Sequence, residues 1–505
     1  MSARGTGQPG GRHEPVGGLK RLAGHGGLYT LSNVAVKGAG LVLLVLYLDP
    51  ELLSVVDYGR LGLLEAAAQL LAVVCGLGVG SGLLRYTAGR VPEGTSDEDV
   101  RALPATALLA SAACAAAAFG LPAAFRRPLA AFLLDDPSAS APVLLMGAYA
   151  AVKVVQAVPL AYFRARERVG LYVSAMGVET LLLLAGVWYA LAVQRAGLLG
   201  VLAAWTAASG LAAALLVGGL LWKAGALPRP RLLRPLLRFG VPLVAAAVAG
   251  VALNTADRFL LKAFADASEV ALYVLAAKYG GLVNMALVQS FNLAFSVLGL
   301  KALAAGDFGL HRSAFRHFAV IAGWVALGIG LFAVDLTRVL SAEQAYQGVD
   351  PLVLPVAIGF WAYGLYYVPL NALLAGDRTR AAAGGAMVAA TLNVALNVAL
   401  IPSFGAAGAA WATFLAYAVL ALGTARLAGT EADLRLPWGK AGLALALVLG
   451  LWGLGLTTAG WPTAPRLAAR AGLALAYVPA IFAVGIYDGA DLGRGVEWAR
   501  GLLRR

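Results

Sequence analysis

Fourteen apolar stretches, each about 20 residues or longer, run through the chain and restrict the folds that it can adopt. The hydrocarbon core of a bilayer, about 30 Å thick, needs roughly 20 apolar residues of α-helix at about 1.5 Å each. The composition agrees, with 60% hydrophobic and 13% charged residues and a mean hydropathy of +0.79. We number the predicted spans 1 to 14, at about residues 27–48, 61–84, 104–125, 141–163, 170–193, 196–222, 239–262, 271–300, 317–336, 352–374, 380–401, 404–424, 440–459 and 467–487. The sequence therefore predicts an all-α, polytopic membrane protein.

Basic residues are sorted onto alternate sides of these spans. The N-terminal arm, the connections after even-numbered spans and the C-terminal tail hold 27 of the 39 Lys and Arg residues, whereas the other connections hold six. Because basic loops resist translocation, the enriched side and both termini are predicted to be cytoplasmic. This sorting also explains the net charge of +13 without nucleic-acid binding, since no basic domain stands outside the membrane.

A segment rich in Pro and Arg divides the chain after span 6. Residues 227–238 contain three Pro residues, which oppose regular helix, and four Arg residues. The predicted parts are a disordered cytoplasmic arm (1–26), an N-lobe of spans 1 to 6 (27–222), a cytoplasmic linker (223–238), a C-lobe of spans 7 to 12 (239–424), spans 13 and 14 (425–487) and a cytoplasmic tail (488–505). The tail fits either an amphipathic helix on the inner membrane surface or a disordered basic segment.

Short motifs recur in the two predicted lobes. Arg168 and Arg380 each stand just before a span, and Gly197-Leu-Leu-Gly200 recurs as Gly405-Ala-Ala-Gly408 at the start of the following span. Transporters are commonly built from such repeats, with the substrate site between them. We therefore expect two pseudo-symmetric lobes of six helices, with spans 13 and 14 appended.

Several longer motifs resemble a known family. They are Asn254-Thr-Ala-Asp-Arg-Phe-Leu-Leu261, Glu269-Val-Ala-Leu-Tyr-Val-Leu-Ala-Ala-Lys278, Gly376-Asp-Arg-Thr-Arg380 and Ile401-Pro-Ser-Phe-Gly-Ala-Ala-Gly408. In order and spacing they resemble the polysaccharide-type flippases (O-antigen or exopolysaccharide flippases) of the multidrug/oligosaccharidyl-lipid/polysaccharide exporter superfamily. The resemblance covers residues 27–487.

The resemblance implies a central cavity between the two lobes and transport by alternating access. It implies translocation of a polyprenyl-pyrophosphate-linked oligosaccharide across a bacterial cytoplasmic membrane, for polysaccharide and cell-envelope biosynthesis. The implied partners are this lipid-linked substrate, membrane lipid, a coupling ion (proton or sodium) and proteins of glycan assembly. A protein of this kind is not an enzyme and needs no cofactor.

Polar residues inside the spans indicate where a substrate site lies. A charge near the bilayer centre costs about 2.5 to 3.5 kcal/mol, so each one retained there is a functional hypothesis. In span 7, Asn254, Arg258 and Lys262 are four residues apart and form one stripe on a helix. This stripe suits an aqueous cavity with an anionic guest. Alternatively, Arg258 and Lys262 extend to the outer interface.

Span 1 carries a second stripe, with Asn33 and Lys37 one helical turn apart. Lys37 lies about 15 Å deep, too far from the interface for easy extension, which makes it the best single candidate for a cavity cation. The alternative is a structural ion pair with Glu65 or Glu179.

Further candidates supply cations for a phosphate group, and amides or aromatic rings for a glycan. They are Lys153, Lys278, Asn284, Tyr363, Tyr367, Asn371, Asn393 and Asn397. The tyrosines equally fit an aromatic belt at the membrane interface. Asn393 and Asn397 equally fit hydrogen bonding between helices.

A coupling ion needs a carboxylate whose pKa or coordination differs between conformations. Asp257, Glu65 and Glu179 are the acids placed deep in spans, and they are the candidates for ion coupling. Each also fits a permanent salt bridge.

Motifs for other chemistry are absent from the sequence. Cys75 and Cys114 both fall in apolar spans and are interpreted as packing residues, and no metal site is predicted. The glycine run at residues 76–82 is superficially similar to a dinucleotide loop. Because it lies within a span, it instead indicates close helix packing.

Two other functions fit the sequence less well. A multidrug or cation antiporter of the same superfamily would prefer an acidic cavity, which the basic residues of spans 1, 4, 7 and 8 disfavour. A membrane glycan polymerase or glycosyltransferase would need catalytic residues in an external loop, and the predicted external loops are short.

Overall fold

The computed structural model describes residues 38–487 apart from 39, 88–95, 167, 225, 342–343 and 430–433. Over these residues the regular structure is helical and contains no strand. Twelve helical segments of the described chain are long and apolar enough to cross a membrane. One of them, Thr379–Ala428, has 50 residues and is kinked at Gly405, so that it accounts for both span 11 and span 12. Most of span 1 lies outside the described residues. The predicted all-α polytopic fold is confirmed.

The helices follow the predicted spans in order. Their bounds are Leu44–Tyr47 at the end of span 1; Val55–Cys75 and Val79–Thr87 in span 2; Asp97–Ala124 in span 3; Ser140–Ala165 in span 4; Val169–Trp188 and the π-helical turn Tyr189–Val193 in span 5; Gly197–Ala224 in span 6; Leu233–Phe264 in span 7; Ala267–Val283, the π-helical turn Asn284–Val288 and Gln289–Ala304 in span 8; Gly309–Leu340 in span 9; Asp350–Ala375 in span 10; Thr379–Ala428 in spans 11 and 12; Trp438–Leu456 in span 13; and Thr463–Ala483 in span 14. Arg126–Leu134 is a short helix after span 3, and Pro230–Leu232 and Gln344–Val349 are short 3₁₀ helices.

Span 7 begins at Leu233, earlier than the predicted residue 239. Pro235 does not prevent this, because it lies in the first helical turn, where a backbone N–H has no partner within the helix. The helical part of the Pro- and Arg-rich segment is therefore continuous with span 7.

The described part of the linker is fastened to the N-lobe. Arg229 and Arg231 bind the carboxylate of Asp99 at 2.8 and 2.6 Å, and Arg229 also binds Glu98. Asp99 stands in the first turn of span 3, where it forms a capping box with Ser96. The hydrogen bonds to Glu98 and Asp99 raise the pKa of the Arg229 guanidinium.

The two lobes have matching backbone turns where Arg168 and Arg380 were predicted to correspond, but the structure matches Arg168 with Arg378 instead. The N–H of Arg168 donates to the carbonyl of Phe163 at 2.9 Å, and the N–H of Arg378 donates to the carbonyl of Leu373 at 2.9 Å. Each turn ends the fourth span of its lobe and begins the fifth. The equal spacing within the two turns supports the division into pseudo-symmetric lobes.

The sixth span of each lobe begins with a glycine in the left-handed region. Gly197 has φ 53° and Gly405 has φ 54°, a conformation that other L-residues rarely adopt. A Cβ on Gly405 would lie 2.6 Å from the Glu269 Oε2 atom, whereas one on Gly197 would meet open space. The positive φ is common to both lobes, but of the two glycines Gly405 alone is packed against a side chain.

The lobes touch through glycines on span 2. A Cβ on Gly59 would overlap the carbonyl of Ala267 in span 8, and a Cβ on Gly78 would lie 2.3 Å from the carbonyl oxygen of Gly240 in span 7. Close packing at the glycine run is therefore confirmed. The sequence did not predict that span 2 is broken there, with Leu77 and Gly78 both at positive φ.

The apolar cores show which side of the protein is closed. On the predicted outer side, one core combines residues of both lobes, such as Leu64, Ala271 and Val353. Toward the predicted inner side, one core lies within the C-lobe, and another joins the N-lobe to Leu236 at the start of span 7. Spans 13 and 14 pack against span 9. The lobes therefore share one core at the outer half, whereas at the inner half the start of span 7 packs on the N-lobe and a cleft lies beside it.

Candidate functional site

Three charged side chains from three spans meet between the lobes, and we call them the central cluster: Glu65 in span 2, Arg258 in span 7 and Lys278 in span 8. Arg258 Nη1 lies 3.3 Å from Glu65 Oε2 and donates to the carbonyl of Gly62 at 3.0 Å. Arg258 and Glu65 retain side-chain exposures of 13% and 31%. The ion pair therefore joins the lobes at the closed end of the cleft.

Lys278 is held mainly by aromatic rings. Its Nζ lies 5.3 Å from the ring centroid of Tyr47 and 5.8 Å from that of Tyr58, distances typical of cation–π contacts. No carboxylate of the described chain is within salt-bridge distance, although Glu65 and Arg258 act on Lys278 electrostatically. With two cations and one anion, the central cluster carries a net charge of +1.

Asn254 extends the polar face of span 7 toward the inner side. It lies one turn from Arg258, is exposed, and its Nδ2 donates to the carbonyl of Gly250 at 2.7 Å. Ala247, seven residues earlier and so on the same helix face, lines a cavity between the lobes. This face of span 7 therefore borders the cleft.

The cavity, which we call the inner pocket, has a volume of about 290 Å³ and is lined by spans 2, 4 and 7. Its charged lining residues in the described chain are Lys153 and Arg164, and its small ones include Gly76 and Ser81 from the break in span 2. The pocket therefore continues the basic character of the central cluster.

Lys153 also belongs to a polar network inside the N-lobe. Its Nζ lies 2.5 Å from Glu179 Oε1, and Glu179 accepts further hydrogen bonds from Gln156 Nε2 at 2.7 Å and Ser209 Oγ at 2.6 Å. The network ties spans 4, 5 and 6 together. Two residues predicted for different roles, a cavity cation and an ion-coupling acid, are thus partners.

Asp257 is the candidate ion-coupling acid in the C-lobe, at a different place in the repeat, and is 2% exposed. Its carboxylate accepts a hydrogen bond from the hydroxyl of Tyr273, which also lies 3.2 Å from Thr413 Oγ1. The backbone N–H of Arg258 donates to it at 2.8 Å. No cationic side chain of the described chain forms a salt bridge with Asp257, although the charge of Arg258 acts on it electrostatically. Its direct partners are hydrogen-bond donors.

Lys262 lies apart from the cleft, at the predicted outer end of span 7. It forms a salt bridge with Asp135 of the N-lobe, and its own side chain is 6% exposed. This contact joins the lobes on the outer side. The two predictions for Lys262, a place in the cavity lining or extension to the membrane interface, did not include such a contact.

The remaining predicted site residues belong mostly to the interior of the C-lobe. Tyr363 accepts a hydrogen bond from Tyr367 at 2.9 Å, and both are partly buried. Asn371 is buried, and its Nδ2 donates to the carbonyl of Ser296 at 3.1 Å. Asn284 begins the π-helical turn of span 8 and is partly buried.

Asn393 and Asn397 form a hydrogen-bonded pair in span 11. Asn397 Nδ2 donates to the carbonyl of Asn393 at 2.9 Å, and the two residues are 1% and 0% exposed. Neither side chain is exposed to the cleft. Lys37 and Asn33 lie outside the described residues.

One charged network was missed in the sequence. Arg466 and Arg470 of span 14 bind Asp335 of span 9, and Arg470 also binds Asp350 at the start of span 10. Sorting residues by topology assigned Arg466 to an external loop and left Arg470 at the edge of a span. The signal that was available is their spacing of four, which places two cations on one face of an apolar helix.

The fold is that of the transporters of the MOP superfamily. The structure matches lipid II flippase MurJ in an inward closed conformation with a TM-score of 0.72, at 12% identity over 91% of this chain and 100% of that chain. It also matches a multidrug resistance MATE family transporter in an inward-facing conformation with a TM-score of 0.59. The identity is 15%, over 80% of this chain and 94% of the transporter. A MOP superfamily transporter from Pyrococcus furiosus, described as having a binding pocket of reverse polarity, matches with a TM-score of 0.53. The identity is 15%, over 83% of this chain and 96% of that transporter.

The chain belongs to the polysaccharide biosynthesis protein family, whose sequence profile matches residues 23–296, more than half of its length. The resemblance found in the motifs is thereby confirmed at the level of the superfamily. No curated protein matches the sequence significantly. The three solved structures are named as a flippase and two transporters, and none is named as an enzyme.

Proposed function

We propose that the protein translocates a polyprenyl-pyrophosphate-linked oligosaccharide across the bacterial cytoplasmic membrane by alternating access. In this proposal the substrate enters the cleft from the cytoplasm, its diphosphate binds the basic residues between the lobes, and its lipid tail stays in the membrane.

The observation that carries the proposal is the excess of positive charge along the cleft. The central cluster has a net charge of +1, and the inner pocket adds Arg164, which pairs with no carboxylate of the described chain. A diphosphate stays anionic at neutral pH, and Arg and Lys side chains bind it through charge-assisted hydrogen bonds. A cationic drug would be repelled by the same residues.

The contact between the lobes differs between the outer and the inner half, and this difference supports alternating access. The outer half has one core shared by both lobes and is crossed by the salt bridges of Arg258 and Lys262. At the inner half the lobes meet at the start of span 7, and the inner pocket lies between spans 2, 4 and 7. This arrangement fits a state that receives substrate from the inner side, and release on the other side would require the outer contacts to separate.

Asp257 is the acid that we propose for ion coupling. A buried carboxylate without a cationic partner is costly to keep charged, so binding of a proton or sodium ion changes its free energy strongly. Glu65 and Glu179 already have cationic partners in Arg258 and Lys153. These two are better explained as structural ion pairs.

The direct test is complementation of a deletion strain that has no paralogue. Loss of the gene is expected to leave lipid-linked oligosaccharide on the inner leaflet and to deplete surface glycan. Wild-type protein restores export, Lys278→Met restores little, and Lys278→Arg restores most, since Arg keeps the charge. Lys301→Met, at an exposed position outside the cleft, is the matched control. Normal surface glycan in the deletion strain would overturn the proposal.

A second measurement addresses the antiporter alternative, which the MATE-like fold keeps relevant. Mass spectrometry of lipid that copurifies in mild detergent is expected to detect a polyprenyl diphosphate glycan. Efflux of cationic drugs that persists in the Lys278→Met variant, with no copurified glycolipid, would favour the antiporter.

A further inference from the structure

Span 14 is tied to the C-lobe by a buried network of two arginines and two aspartates. Arg470 is 1% exposed, and its Nη1 donates to Asp335 Oδ2 at 3.0 Å and to the carbonyl of Leu331 at 2.6 Å. Its Nε donates to Thr458 Oγ1 at 3.2 Å, and its Nη2 donates to Asp350 Oδ2 at 3.3 Å. One guanidinium thus connects spans 9, 10 and 14 with the turn after span 13.

Arg466 shares part of this network but does not reach Asp350. Its Nε lies 2.8 Å from Asp335 Oδ1, and its Nη1 donates to the carbonyl of Trp461 at 2.9 Å. Arg466 therefore fastens span 14 to span 9 only. The two arginines are one helical turn apart and both bind Asp335, but of the two Arg470 alone binds Asp350.

Asp350 depends on Arg470. Its side chain is 12% exposed, its Oδ1 has no hydrogen-bond partner in the described chain, and its Oδ2 accepts from Arg470. A buried charge is stable only while its partner is in place. The position of Asp350 is therefore coupled to that of span 14.

Asp350 directly follows the 3₁₀ helix Gln344–Val349, which we call the outer segment. Tyr346 and Val349 of this segment are fully buried in the core that both lobes share. The Tyr346 ring meets the Tyr58 ring of span 2 edge to face, with 6.0 Å between centroids. A Cβ on Gly348 would lie 3.3 Å from Leu272 of span 8. The outer segment is therefore part of the seal between the lobes.

The contacts run without interruption from span 14 to the central cluster. Arg470 holds Asp350, Asp350 begins span 10 where the outer segment ends, and Tyr346 packs on Tyr58. Tyr58 is one of the two rings that face Lys278. A displacement of span 14 would therefore alter the ring contact that supports the cation of the cleft.

We propose that Arg470 and Asp350 are positioning residues for the outer closure, so that span 14 stabilises the state in which the outer side is shut. This inference rests on the alternating access of the proposed function. It assigns to the appended helices a part in the conformational equilibrium, although they contribute no residue to the central cluster.

The test measures outer closure without any substrate. In a background of Cys75→Ala and Cys114→Ala, the interlobe pair Asp135→Cys and Lys262→Cys is joined by a short bifunctional methanethiosulfonate. Arg470→Met and Asp350→Ala are each expected to slow cross-linking by up to about tenfold, because the rate follows the closed fraction and one lost hydrogen bond to a charged group shifts the equilibrium by about that factor. Arg470→Lys, which keeps the charge, is expected to recover part of the rate.

Arg466→Met is the matched control, because it removes the neighbouring arginine but leaves the contact with Asp350. Its cross-linking rate is expected to stay within about twofold of the parent, since Arg470 still holds Asp335 and Asp350. Monodisperse elution and an unfolding transition establish that each variant is folded. If Arg470→Met does not fold, Asp350→Ala still tests the inference. That variant removes the contact with Asp350 but leaves Arg470 its three other partners, so it is expected to fold.

Two results would overturn the inference. One is a folded Asp350→Ala protein that cross-links at the parent rate, and the other is Arg466→Met slowing the reaction as much as Arg470→Met. Because no substrate is added, a failure of the proposed transport function would leave the cross-linking result unchanged, and the two failures can be told apart.

Discussion

Glu179 in the N-lobe and Asp257 in the C-lobe are both carboxylates buried within membrane spans, yet they are stabilised in different ways. Glu179 is bound by a lysine, an amide and a hydroxyl from two neighbouring spans. Asp257 is bound by a tyrosine hydroxyl and a backbone N–H, with no cation of the described chain in salt-bridge range.

The difference separates two roles that the sequence left open for both acids. A carboxylate that already has a permanent cation gains less from a further ion than one without a cation, so Glu179 is suited to holding spans 4, 5 and 6 together. A carboxylate without a cation responds to any proton or sodium ion that reaches it. Two lobes of similar fold can thus contain one acid in a structural ion pair and one acid that is free to bind a proton or sodium ion.

The largest effect on stability is expected for Glu179→Ala. It leaves Lys153 without its carboxylate in a site where the lysine is 31% exposed. The free energy of unfolding is expected to fall by about 2 to 4 kcal/mol, somewhat less than for a fully buried pair. Denaturant titration in detergent measures this. Adding Lys153→Met should recover part of the loss, and a double variant as unstable as the single one would contradict the ion pair.

A second pair of variants compares the repeated turns. Gly405→Ala is expected to cost about 2 kcal/mol, because it combines a positive φ with a clash against Glu269, and Gly197→Ala about 1 kcal/mol, because its surroundings are open. Thermal unfolding of the two variants under the same conditions measures the difference. Equal losses would show that the Glu269 contact contributes nothing.

Ser209→Ala is expected to have a smaller effect. It removes one of the three side chains that bind Glu179, and the cost of one such hydrogen bond is about 1 to 2 kcal/mol. Its unfolding transition should fall between those of the parent and Glu179→Ala. Thr180→Ala, whose hydroxyl bonds only to the carbonyl of Met176 in its own helix, serves as the control.

Asp257→Asn is expected to change stability least, within about 1 kcal/mol, because Asn keeps an acceptor for Tyr273 and removes a desolvated charge. Ion-driven transport is nevertheless expected to fall roughly 5- to 150-fold, the usual range of a coupling free energy. Flipping measured with and without an imposed ion gradient tests this. If the variant unfolds as readily as Glu179→Ala, or responds to the gradient normally, the contrast between the two acids fails.

The membrane spans were predictable because the property that identifies them is local. Twenty apolar residues in a row indicate a span wherever it lies, so the order of spans 2 to 14 in the described chain followed directly from the apolar stretches. The stripe of Asn254 and Arg258 was predictable for a similar reason, since residues four apart share a face of any helix.

Partners between spans were not predictable, because they depend on how the helices tilt and rotate against each other. Arg258 pairs with Glu65, Lys262 with Asp135 and Arg470 with Asp335, each across more than 100 residues of sequence. The break in span 2 was missed as well, since a glycine run is compatible with both a continuous helix and a kinked one.

The contact between Gly78 and Gly240 has a consequence for the kinetics of switching. The two backbones meet directly there, because neither residue carries a side chain. The neighbouring residue Phe239 nevertheless packs on the ring of Tyr86 and beside the guanidinium of Arg85, and Tyr86 donates a hydrogen bond to the carbonyl of Pro235. A change in the angle between spans 2 and 7 must therefore repack these side chains, so they are expected to slow switching together with the salt bridges and rings at the outer end of the same helices.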